Sequence, residues 1–70
     1  MEEIPIGRVI ATARHRKRLT QMALAHKLGV SRSTVALWES GTHFPLRHLG
    51  AVEEVLGISL TGYEPERAAS

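Results

Sequence analysis

Few side chains in this 70-residue sequence can do covalent or metal chemistry, and none of them is a cysteine. The four histidines, His15, His26, His43 and His48, are the first candidates for metal binding or proton transfer. They have no metal-like spacing on a shared face, so no zinc site is expected, and no other cofactor is implied. Serines accompany them, but nucleophilic catalysis also needs a third orienting group and an oxyanion turn, and neither is apparent. A chain this short buries only about 60% of its unfolded surface, which leaves little room for an enclosed active-site cavity. The chain is therefore read as a non-enzyme.

A second kind of chemistry is better supplied, namely hydrogen bonding to a polyanion. From Pro5 to Trp38 there are seven basic residues and no acidic one: Arg8, Arg14, Arg16, Lys17, Arg18, Lys27 and Arg32. All seven glutamates lie outside that stretch, with Arg47 and Arg67, so the two parts carry +7 and −5. Such asymmetry points to a nucleic acid ahead of an anionic membrane. No apolar run has the length of a signal peptide or a membrane span, so a cytoplasmic protein is expected.

The elements that must position these groups are helical. Ile6, Val9, Ile10 and Ala13 recur at helical spacing and predict a first helix over 6–17, with Pro5 suited to its first turn. Thr20 is a good N-cap for a second helix whose inward stripe is Leu24, Ala25 and Leu28, ended by Gly29. Ser31 caps a third helix, Arg32 to Ser40, terminated by Gly41. The link from Leu28 to Ser31 is too short for antiparallel neighbours, which predicts a steep helix-turn-helix crossing. Leu46, Leu49, Val52, Val55 and Leu56 support a fourth helix closed by Gly57, although Gly50 inside it costs roughly 1 kcal/mol. Gly62 and Pro65 limit any fifth helix to about a turn. The expected class is all-α, a bundle of four to five short helices, with one domain over 4–63 and a disordered tail over 64–70.

The third helix holds the only tryptophan and has two different faces. At 100° per residue, Val35 and Trp38 point to the core. The opposite side holds Ser33 and Ser40, flanked by Ala36, Leu37 and, more obliquely, Arg32. That side is uncharged between the two serines, whereas a merely solvated face carries Glu and Lys. Small groups, no carboxylates and donors at the leading end are what fitting into a DNA major groove requires.

The run LTQMALAHKLGVSRSTVALWESG, Leu19 to Gly41, resembles the Cro/CI-type phage-repressor helix-turn-helix, the Xre family. The resemblance extends from about Ile6 to Ser59 and implies a lambda-repressor-like domain, with the third helix in the major groove of an operator. It implies that Gln21 bonds a DNA phosphate and that Arg32, Ser33 and Thr34 read base edges. Leu37 would touch a thymine methyl, and Ser40, Thr42 and His43 would grip the sugar-phosphate backbone. Arg14 and Glu39 match a pair that ties the third helix to the first while leaving Arg14 near phosphate. Glu53 and Gly50 depart from the family pattern, the 45–49 segment is one residue shorter, and the fifth-helix region is interrupted where relatives dimerise.

The expected function is sequence-specific binding of double-stranded DNA by a prokaryotic or phage transcriptional repressor. It would act as a homodimer on a palindromic operator and associate with the nucleoid. The alternative is a protein-interaction module of the same fold, an antitoxin half or a coactivator-type adaptor, in which the acidic Glu53–Glu54 face of the fourth helix meets a partner.

Overall fold

Two hydroxyl groups decide where the second and third helices begin. Thr20 and Ser31 both hold extended backbone, and each side-chain oxygen accepts a hydrogen bond from the amide three residues on, Ala23 at 2.9 Å and Thr34 at 3.1 Å. These bonds satisfy amide groups that have no partner inside the helix. In this computed structural model, which describes residues 5–63, the elements are α1 (Ile6–Arg16), α2 (Gln21–Leu28), α3 (Arg32–Ser40), a 3-10 turn (Leu46–His48) and α4 (Leu49–Leu56). No strand occurs among the described residues. The all-α class is as expected; Ile4 and the 64–70 tail lie outside the described residues.

Glycines in the left-handed conformation stop three of the helices, Gly29 at φ 74°, Gly41 at φ 85° and Gly57 at φ 67°. The end of α1 uses Arg18 at φ 58° for the same purpose. The Arg18 amide bonds the His15 carbonyl at 2.9 Å and the Leu19 amide bonds that of Arg14 at 3.1 Å, which closes the last turn. This turn ends α1 at Arg16, one residue before the expected Lys17. Pro5 stands just outside α1 as its N-cap, with extended backbone, instead of in the first turn. The expected fourth helix is split, its first three residues tightening into the 3-10 turn after Pro45. No fifth helix forms among the described residues, because the chain turns at Gly62 with φ 99°.

The core gathers one stripe from each helix: Ile10 and Ala13 of α1, Leu24 and Ala25 of α2, Val35 and Trp38 of α3, Val52 and Leu56 of α4. Leu60, beyond α4, completes it. Glu53, where α4 departs from the family pattern, anchors that residue. Its Oε2 accepts the Leu60 amide at 2.7 Å and pins Leu60 over the core. The Glu53–Glu54 face is therefore not a free acidic pair, since Glu53 is half-buried and bonded while Glu54 is exposed.

Gly50 has neither a positive φ nor a close neighbour; a Cβ built there meets nothing within 4 Å. Gly50→Ala should therefore stabilise the fold by about 0.5 kcal/mol through reduced unfolded-state entropy. Thermal denaturation should show a rise of about 3 °C in the midpoint. An unchanged or lowered midpoint would mean that α4 needs the glycine for another reason.

Candidate nucleic-acid interface

The only carboxylate on α3 is turned inward. Glu39 Oε2 accepts from Arg14 Nε at 2.7 Å, and Oε1 accepts from Arg14 Nη2 at 3.0 Å. This forked pairing joins α3 to α1. The third arm of the guanidinium, Nη1, donates to the Leu19 carbonyl at 2.8 Å and so holds the turn that leads into α2. Arg14 is 7% exposed and all three of its nitrogens are bonded within the protein, so it is a brace and not a group offered to phosphate.

The same carboxylate also reaches α2, where Gln21 Nε2 donates to Glu39 Oε1 at 3.0 Å. The amide oxygen of Gln21 in turn accepts from Arg32 Nη1 at 3.1 Å. A continuous chain of polar contacts therefore runs from Arg14 through Glu39 and Gln21 to Arg32. Its inner end is buried and its outer end is exposed. Burial alone would push the Glu39 carboxyl upward, but hydrogen bonds from Arg14 and Gln21 and the charge of Arg14 outweigh it and hold it below the ordinary range. The Arg14 guanidinium is raised correspondingly, mainly by its hydrogen bond to Glu39.

Other candidate residues divide between the two ends of α3, whose nine residues span roughly 13 Å. At the leading end, Arg32 and Ser33 are exposed, whereas Thr34 is half-buried and its hydroxyl lies 2.9 Å from that of Ser31. Thr34 thus belongs to the N-terminal cap as much as to the surface. At the trailing end, Ser40 Oγ bonds the Leu37 carbonyl at 3.1 Å and lies 2.9 Å from the Thr42 hydroxyl. His43 beside them is exposed. Between the ends, Leu37 is half-buried and is not among the side chains packed on the core, as the helical angle predicts. Val35 and Trp38 are core residues at 0% and 3% exposure.

Three supports of this surface have no counterpart in the sequence reading. Gly7 is buried where α1 crosses the end of α3, and a Cβ there would lie 2.5 Å from the Glu39 carbonyl oxygen and 2.6 Å from that of Trp38. The signal was a glycine inside an otherwise regular helical pattern, which marks a close approach when it does not end the helix. The Trp38 ring also meets the His48 ring at a centroid distance of 5.4 Å, tying the 3-10 turn to α3. The third is the Arg14 bond to the Leu19 carbonyl. Among the described residues there is no group of three or more His, Asp or Glu side chains placed to hold a metal ion.

A family model described as helix-turn-helix matches residues 10–63. Human endothelial differentiation-related factor 1 is 37% identical over 60 residues, 84% of this chain and 40% of that protein. Multiprotein-bridging factor 1 of Debaryomyces hansenii is 34% identical over 61 residues, 86% of this chain and 41% of that protein. The chain thus spans about two fifths of the length of these relatives. Among solved structures, Fe(II) HppE in complex with substrate is similar at 33% identity and a TM-score of 0.71. That match covers 84% of this chain but 35% of HppE. With a family match over most of its length and the capped pair α2–α3 at its centre, the chain belongs to the helix-turn-helix family of DNA-binding domains.

Proposed function

We propose that the protein binds double-stranded DNA in a sequence-specific manner and regulates transcription, with α3 in the major groove. The observation that carries this reading is the outer face of α3. Ser33 and Ser40 are exposed on it, Arg32 stands at its leading end, and its one carboxylate is withdrawn to Arg14. A groove about 12 Å wide accepts such a face, and Arg is the usual bidentate partner of guanine. In this reading Gln21, Ser40, Thr42 and His43 meet backbone phosphates, and Arg32, Ser33, Thr34 and Leu37 meet base edges. A homodimer on a palindromic operator doubles the site, and repression follows from occluding a promoter. The protein would act in the cytoplasm, on chromosomal DNA.

Selection of bound duplexes from a random pool tests the reading, followed by titration of the selected site at several salt concentrations. The expected result is one enriched motif, with log K falling by about 0.9 per neutralised phosphate as log salt rises. No enrichment together with salt-insensitive binding would refute it. Arg32→Ala should cost about 1–3 kcal/mol on the selected site and relax preference at one base position. Unchanged discrimination by that variant would remove Arg32 from base readout.

The names of the relatives favour a second reading, since a multiprotein-bridging factor is by its name a bridge between proteins. In that reading the domain acts as a coactivator-type adaptor. Duplex selection separates the two, because an adaptor without its own readout enriches no motif.

A further inference from the structure

A basic strip of α1 lies where the α3 surface cannot use it. Gly7 and Arg14 face α3 through their contacts with Trp38 and Glu39. Arg8, Thr12 and Arg16, four residues apart, lie roughly 100–180° around α1 from Gly7. All three side chains are exposed, and the one ion pair among the described residues, Arg14–Glu39, does not involve them. They border a surface groove of about 210 Å³ whose apolar lining is Val9, Ala13 and Ile58. Two guanidinium groups with no carboxylate partner among the described residues thus flank an aliphatic recess on the side of α1 turned away from α3.

We infer that this groove docks an acidic peptide, with an aliphatic side chain seated on Val9, Ala13 and Ile58 and carboxylates paired with Arg8 and Arg16. Charge complementarity selects the sign of the partner, and arginine suits bidentate pairing with carboxylates. The apolar recess favours a peptide over a nucleic acid backbone, whose sugar carbons lie between phosphates and offer no branched apolar side chain to seat there. This site does not rest on the DNA-binding reading, since it shares no residue with the α3 surface.

The test is fluorescence anisotropy of a labelled peptide of alternating Asp, Glu and Leu, titrated with the full 70-residue chain. Replacing the peptide leucines by serine should weaken binding, and replacing its acids by lysine should abolish it. The double variant Arg8→Glu, Arg16→Glu should lose at least about tenfold in affinity for the acidic peptide. It should gain affinity for the lysine peptide, while helical circular dichroism and the fluorescence of the buried Trp38, unchanged from the wild type, show the variant to be folded. Salt dependence of duplex binding, measured on the same samples, should be unchanged by the double substitution. Three results would overturn the proposal: acidic-peptide binding indifferent to the double variant, binding indifferent to the leucines, or a duplex salt slope lowered by about two. The last would assign the strip to DNA phosphates.

Discussion

Glu39→Ala should destabilise the fold by about 3 kcal/mol and weaken duplex binding as well. Arg14 is buried and its partner carboxylate is nearly so, with side chains 9% exposed on both sides. Removing the carboxylate strands a guanidinium charge inside the protein and frees the amide of Gln21. The loss is large because an uncompensated buried charge costs far more than a surface pair contributes. Urea denaturation followed by the fluorescence of Trp38 measures it, and a loss below about 1 kcal/mol would place the pair among ordinary surface contacts.

The double variant Arg14→Met, Glu39→Met separates stability from function. Replacing both charges with apolar groups should recover most of the lost stability. Duplex affinity should stay reduced, because Gln21 has lost the acceptor that holds it against Arg32. Recovery of both together would show that the polar chain does not position Arg32.

Acid should expose the same pair. The Glu39 carboxyl sits below its ordinary range in the folded state, so folding favours the ionised form. That stability is fully present above the unfolded value of about 4.3 and is lost as pH falls through the lower folded value. Between about pH 5 and pH 3, the melting midpoint of the wild type should fall further than that of Glu39→Gln. Parallel midpoints over this window would show that Glu39 gains nothing from its partners.

Gly7→Ala should cost about 3 kcal/mol, although alanine is the better helix former by about 1 kcal/mol. The added Cβ would meet two backbone carbonyl oxygens and a carbonyl carbon at 2.5–2.9 Å, none of which can swing aside as a side chain does. Relief requires α1 and α3 to move apart, and that movement pulls Arg14 away from Glu39. Gly50→Ala serves as the control, with the same chemical change on an open surface and the opposite sign. If both variants gained stability, the close packing of α1 on α3 would be disproved.

Much of the architecture was legible because it is written in local chemistry. The hydroxyls of Thr20 and Ser31 start helices, the glycines at 29, 41 and 57 stop them, and a period of 3.6 assigns Ile10, Leu24, Val35, Trp38 and Val52 to one core. The same period turns Leu37 away from the core. Each such effect acts within one helix, so composition and spacing are enough. Arg18 shows the limit even there: no side-chain preference announces a left-handed arginine, and the turn after α1 demands one.

The amino-acid sequence by itself thus determined the main helices, the caps at Thr20 and Ser31, the glycine stops, and the face of α3 that is uncharged between Ser33 and Ser40. It did not reveal why Gly7 must be glycine, what Glu53 does, or that Gln21 links Glu39 to Arg32. Those facts depend on distances between residues up to 32 apart in the chain, such as Gly7 and the Glu39 carbonyl. They are set by how closely two helices approach, which no single helix encodes. Tertiary packing decided them, by joining separate polar residues into one hydrogen-bonded line from a buried arginine to an exposed one.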